Sequence, residues 1–215
     1  MSRAAASCPG GSAARVAQGG HAAPRRVLLI RHGESEANVS GRDIPDPLLS
    51  GDGRTQAKSW SGHIERLGVE LVLTSPLRRA VETACWAFAG DAAPIEVCAP
   101  ARELWWHEHQ NRPGPLEALR GMLETLPRGG EVKGLQSLDA ASGAASEDES
   151  VVQLRAILAA RPEKTLAVVC HYLLINELCG CSAHNGEVLV CEPTRSGRFR
   201  VIERHLPPGG PRTLW

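Results

Sequence analysis

A three-layer α/β/α sandwich on a mostly parallel sheet of about six strands, one edge strand antiparallel, is the fold class this sequence predicts. Two observations carry that expectation. Short apolar runs alternate with longer stretches of helical periodicity, the pattern of a sheet covered on both faces. The last two runs, 188–191 and 199–203, are joined by a glycine-containing turn that suits an antiparallel hairpin.

Residues 27–30 (Val-Leu-Leu-Ile) form the first expected strand. A loop follows over 41–53, marked by Pro45, Pro47 and Ser50-Gly51-Asp52-Gly53. Residues 52–67 read as an amphipathic helix with Ala57, Trp60, Ile64 and Leu67 on one face. Residues 71–73 are a second strand, and Pro76 suits the start of a helix running to about Phe88. A third strand is expected at 95–98, then an irregular stretch over 99–115 with three prolines and a concentration of Trp and His. Residues 116–126 read as helix, and 128–145 as a Gly/Ser/Ala-rich connection. Ser146-Glu147-Asp148-Glu149 places a cap and acids at a helix start, and that helix stops near Pro162. The most apolar run, 166–170, is the expected central strand.

The 215 residues suit one domain with a sizeable core. Lys plus Arg and Asp plus Glu balance at 24 each, so nothing global points to nucleic acid or an anionic membrane surface. No apolar run is long enough for a membrane-spanning helix. The seven cysteines are scattered and often sit inside apolar runs, which reads as reduced core thiols. Residues 1–26 are rich in Ala, Gly, Ser and Arg and contain no acid, so they are expected as a disordered leader or a transit peptide. The expected division is therefore leader 1–26, catalytic domain 27–206 and loose tail 207–215. The expected compartment is the cytoplasm, or a plastid or mitochondrion if the leader is a transit peptide.

Chemistry collects at strand ends. Residue Ile30 leads into Arg31-His32-Gly33, Leu73 leads through Thr74-Ser75-Pro76-Leu77 into Arg78, and Cys170 leads into His171. In a parallel sheet the carboxyl ends share one edge, where such folds bind ligands. Two arginines and two histidines converging there make an anion pocket, helped by helix amides at 77–79. A phosphoryl group fits best, because it offers several oxygens to forked guanidinium donors. Histidine is also a competent nucleophile.

Arg31-His32-Gly33-Glu34-Ser35-Glu36-Ala37-Asn38 resembles the signature of the histidine phosphatase (phosphoglycerate mutase-like) superfamily, branch 1. Ser75-Pro76-Leu77-Arg78-Arg79-Ala80-Val81-Glu82-Thr83 resembles its second motif, and Pro47-Leu48-Leu49-Ser50 with Gly53, Gln56 and Ala57 its intervening loop. The resemblance implies a phosphatase in which His32 attacks phosphorus and becomes a phosphohistidine. It further implies that Arg31, Arg78, Asn38 and His171 bind the phosphoryl oxygens, and that a carboxylic acid after the third strand protonates the leaving group. Glu103 is the expected acid, with Glu108 as competitor. Tyr172 departs from the glycine that the family usually places after its second histidine.

No metal or cofactor is expected. His107-Glu108-His109 and Cys179-Gly180-Cys181 lack the four-ligand spacing of a structural zinc site, and the Trp/His cluster reads instead as a pocket rim. The expected partner is a phosphorylated small molecule or a phosphoprotein; the oligomeric state is not legible. A mutase-type phosphoryl transfer and a non-catalytic phosphate-binding scaffold stand as the alternatives.

Overall fold

Alternation within each apolar run decides which helices cover which face of the sheet. The computed structural model describes residues 26–136, 138 and 146–209. Most of the leader (1–25), the end of the tail (210–215) and much of the 128–145 connection lie outside the described residues. The strands are β1 (Arg26–Arg31), β2 (Leu71–Thr74), β3 (Ile95–Val97), β4 (Thr165–Cys170), β5 (Val188–Pro193) and β6 (Phe199–His205). They form one six-stranded sheet in the order β3-β2-β4-β1-β5-β6. Strands β3, β2, β4 and β1 run parallel, β5 is antiparallel to β1, and β6 pairs back on β5 at the edge. The most apolar run, now β4, lies between β2 and β1 as expected.

The helices are α1 (Glu36–Ser40), α2 (Gly51–Ser59), α3 (Arg78–Ala87), α4 (Leu116–Leu123), α5 (Glu147–Ala160) and α6 (Tyr172–Cys179). Leu28, Ile30, Val72, Ala167 and Val169 pack with Val81, Ala84 and Phe88 of the α3 region and with Leu119 and Leu123 of α4. The residues between them, Val27, Leu29, Leu71, Leu73, Leu166 and Val168, pack with Leu154 and Leu158 of α5 and Leu174 and Leu178 of α6. Successive strand side chains point to opposite faces, so this split produces the three layers.

Two local outcomes differ from the periodicity. The helix expected over 52–67 ends at Ser59, with a separate 3-10 turn at Ile64–Leu67. Gly62 between them sits at φ 77°, a left-handed conformation that interrupts an α-helix. Trp60 then turns inward and donates from Nε1 to Gly186 O at 2.8 Å. Helix α6, to which the sequence reading assigned no element, forms because Leu174, Ile175 and Leu178 bury one face against the sheet. Ser146 caps α5 as expected, accepting from Glu149 N while the Glu149 carboxylate accepts from Ser146 N.

Behind the Arg31-His32-Gly33 turn, two backbones cross closely. A Cβ on Gly33 would lie 2.5 Å from Gly53 O, and one on Gly53 would overlap the Glu34 carbonyl. Gly53 lies inside α2, where helix propensity alone favours alanine by about 1 kcal/mol. The crossing reverses that sign: Gly53→Ala is expected to destabilise the protein by about 2 kcal/mol in urea unfolding. A stabilised variant would show that the two backbones separate at no cost.

Candidate active site

Strands β1, β2 and β4 deliver three polar groups to one edge. His32 follows β1, Ser75 follows β2 and His171 follows β4, and all three are buried. The imidazoles of His32 and His171 lie 5.1 Å apart between centroids. Ser75 Oγ sits 2.7 Å from His171 Nε2 and accepts from Leu77 N at 3.2 Å. His171 Nδ1 is buried and, among the described residues, has no hydrogen-bond partner.

His32 is held in one tautomer. Its Nδ1 lies 2.6 Å from Gly33 O, a carbonyl that can only accept, so the proton is on Nδ1 and the lone pair on Nε2. The guanidinium Nε of Arg79 donates to that Nε2 at 3.2 Å, which again requires a neutral ring. Burial, then the charges of Arg79 and Arg31, push the His32 pKa well below 6.5. Burial, Arg79, His32 and Arg31 do the same to His171.

Arg31 donates from Nη1 to Ala183 O at 2.9 Å, and its Nε is buried and, among the described residues, without a hydrogen-bond partner. The ring of Tyr172 covers it, with Cζ 5.1 Å from the ring centroid, a cation–π arrangement. Asn38 is exposed at its surface. Its Oδ1 accepts from Ser35 N, Ser35 Oγ and Asn185 Nδ2, so the amide is oriented and Nδ2 is its donating end. Asn185 Nδ2 also donates to His32 O at 3.2 Å.

Arg78, the arginine expected in the pocket, is engaged by Asp46. Its Nε donates to Asp46 O at 2.9 Å and pairs with the Asp46 carboxylate at 3.4 Å, while its own N–H donates to Asp46 Oδ1. The physical reason is helical rotation of roughly 100° per residue: of two adjacent arginines at the start of α3, one faces the sheet edge. That one is Arg79. A signal for it exists in the sequence, since Arg79 and Thr83 are four apart and share a helix face. Thr83 Oγ1 accepts from Gly33 N at 3.0 Å, so that face looks at the Arg31-His32-Gly33 turn. Burial pushes the Arg79 pKa down to about 10, which leaves it charged at neutral pH.

Glu103 is buried, and its charge acts on both Arg31 and Arg79. Its Oε1 accepts from Leu104 N at 2.9 Å and Leu174 N at 3.1 Å, and its Oε2 from Leu173 N at 3.2 Å. Burial outweighs these bonds and raises its pKa above the ordinary carboxylate value. The competitor Glu108 is occupied differently. Its Oε2 accepts from Gln110 Nε2 at 2.8 Å and Asn111 Nδ2 at 3.2 Å within its own loop.

The aromatic stretch between them splits. Trp106 lies beneath the Arg102 guanidinium, with Cζ 3.2 Å from its ring centroid. Trp105 is 52% exposed at φ 60°, a conformation that costs a non-glycine residue energy. His109 pairs with Asp43 at 2.9 Å. Among the described residues, no three His, Cys, Asp or Glu side chains cluster closely enough to hold a metal ion. Nor is any helix among them long and apolar enough to cross a membrane.

Known proteins share both the sequence pattern and the fold. The profile of the histidine phosphatase superfamily (branch 1) matches residues 27–188. Human 6-phosphofructo-2-kinase/fructose-2,6-bisphosphatase 4 is 44% identical over 66 residues, which is 30% of this chain and 14% of that protein. The adenosylcobalamin/alpha-ribazole phosphatase of Escherichia coli K12 is 31% identical over 90 residues, 40% of this chain and 44% of that one. The chain thus matches less than half the length of these relatives. Among solved structures, mycobacterial glucosyl-3-phosphoglycerate phosphatase in complex with VO3 superposes with a TM-score of 0.54 at 25% identity, covering 83% of this chain and 97% of that one. Phosphoglycerate mutase from Bacillus anthracis shares the fold at a TM-score of 0.58 and 18% identity, covering 85% and 93%. The match over 27–188, together with a sheet edge that gathers both signature histidines, makes this chain a member of the histidine phosphatase superfamily, branch 1.

Proposed function

We propose that this chain is a phosphomonoester hydrolase that works through a phosphohistidine on His32 Nε2, without a metal. One observation carries the reading: a neutral imidazole with its lone pair on Nε2 faces a buried guanidinium, in a pocket that also holds a second arginine and a carboxyl of raised pKa. Such a ring is nucleophilic without a deprotonation step. The surrounding cations stabilise charge on the equatorial oxygens as it develops.

In this mechanism a phosphoryl oxygen takes over the Nε–H of Arg79 and frees the His32 lone pair. Nε2 then forms a bond to phosphorus as the ester P–O bond breaks in line. Arg31, Arg79, Asn38 Nδ2 and a protonated Nδ1 on His171 hold the phosphoryl oxygens. Protonated Glu103 gives its proton to the departing alkoxide. Water then attacks the phosphohistidine, Glu103 takes a proton from it, and inorganic phosphate leaves. Arg79 replaces Arg78 in this scheme because Arg78 is engaged by Asp46. The substrate class we favour is a phosphorylated small molecule, supported by the sugar bisphosphate and ribazole phosphate named in the relatives. That both names include a phosphatase activity, the first beside a kinase activity, favours hydrolysis over mutase-type return of the phosphoryl group.

Incubation with a labelled aryl phosphate, followed by alkaline quench, is expected to trap label on His32, and His32→Ala to abolish both label and turnover. Turnover that survives the substitution would remove the nucleophile. Arg79→Ala is expected to lower kcat/KM by about 10²–10³-fold, and Arg78→Ala by under about tenfold; the opposite ranking would return Arg78 to the pocket. Because Glu103 must be protonated and its pKa is raised, hydrolysis of alkyl phosphates should fall as pH rises through that pKa. Glu103→Gln should remove this limb and slow alkyl phosphates by about 10²–10⁴-fold, while aryl phosphates with good leaving groups lose far less. Equal losses on both classes would reassign the acid.

A further inference from the structure

The guanidinium that faces His32 does not hold itself in place. Arg79 Nη1 donates to Gln110 O at 2.6 Å, and Nη2 donates to Asn111 Oδ1 at 2.9 Å. Both acceptors belong to the short turn at the end of the irregular 99–115 stretch. Asn111 is 3% exposed, and its amide is fully committed. Its Nδ2 donates to Leu104 O at 3.0 Å, Trp105 O at 3.3 Å and Glu108 Oε2 at 3.2 Å. A guanidinium only donates and these three groups only accept, so the amide has one admissible orientation. Its oxygen faces Arg79 and its nitrogen faces the segment that begins at Glu103.

We propose that Asn111 is the positioning residue that fixes Arg79 over His32 and ties that arginine to the segment carrying Glu103. The inference rests on the phosphatase reading for its catalytic meaning, but the geometry belongs to the chain itself. Arg79 has no carboxylate in direct contact among the described residues, so its place depends on neutral acceptors: His32 Nε2 on Nε, which turnover must free, and Gln110 O and the Asn111 side chain on Nη1 and Nη2. During turnover the Arg79 Nε–H must pass from His32 to a phosphoryl oxygen while the guanidinium stays in position. Anchors on Nη1 and Nη2 allow that exchange, because they leave Nε free to change partner. The same amide holds Leu104, next to Glu103, so the phosphate-binding cation and the carboxyl group cannot drift apart independently.

The signature of this role lies in the protonation of His32. That ring is faced by Arg31 from its own strand, by Arg79 from α3 and by His171 beyond β4, with Glu103 acting on both arginines. If Asn111 fixes Arg79, losing its acceptor removes a neighbouring cation and the His32 pKa rises. Nitrogen-15 NMR of the full chain reads this directly, without substrate. With Asn111→Leu, the His32 titration midpoint is expected to move up by about one pH unit. Inorganic phosphate added to the same samples should bind about tenfold more weakly. If Asn111→Leu does not fold, Asn111→Ser, too short to reach Nη2, carries the same expectation. A His32 titration unchanged from wild type in the folded variant overturns the proposal, whatever the loss in thermal stability. Wild-type protein that releases no phosphate from an aryl phosphate would instead remove the phosphatase reading, and the titration would still decide the role of Asn111.

Discussion

Two arginines are buried at this sheet edge with, among the described residues, no carboxylate directly against either, and much of the surrounding architecture serves to tolerate that arrangement. Arg31 leans on Ala183 O, and Arg79 on Gln110 O and Asn111 Oδ1. Carbonyl dipoles satisfy guanidinium hydrogens but do not cancel the charge, so the pocket keeps a net positive field in a medium of low dielectric. Removing a cation from water without a counter-ion costs several kcal/mol, a cost borne by the packing of the sheet and helices. Arg78 shows the contrast. One residue earlier, it is neutralised by Asp46 and contributes no such field.

Burial first, and then this field, sets the state of the histidines. A ring between two cations gives up its proton readily, and the Gly33 carbonyl decides which nitrogen keeps the remaining one. Burial and electrostatics therefore act together: the charges suited to an anion add to burial in keeping the imidazole neutral. Glu103 answers the same constraint from the other side. Its three backbone N–H bonds accommodate a carboxylate, while burial favours the carboxylic acid, so it is placed to hold or release a proton.

Much of this was legible in the sequence, and what was not has identifiable causes. The strands β1, β2 and β4 could be read because each holds an unbroken apolar run, and their carboxyl ends could be aligned because parallel strands share an edge. Helix rotation hid the choice between Arg78 and Arg79, although Thr83, one turn along, carried the answer. Gly62 broke a helix that the spacing of Ala57, Trp60, Ile64 and Leu67 appeared to continue. Asn111, Gln110 and Asn185 were out of reach for a different reason. Their partners lie 32, 31 and 153 residues away in the chain, and no local pattern marks an asparagine that holds a distant arginine.

Strand β5 runs against its neighbour β1. A uniformly parallel sheet presents only departing loops at its ligand-binding edge. One reversed strand brings an arriving segment there as well: residues 183–187, which place Ala183 O on Arg31 and Asn185 on His32 and accept the Arg31 N–H at Glu187 O. The pocket is thus enclosed by chain travelling in both directions. The arriving segment holds Arg31 and the His32 backbone, while the loop leaving β3 carries Glu103 together with the Gln110 and Asn111 contacts to Arg79, so two guanidinium groups side by side are held by stretches of chain that enter the edge from opposite directions.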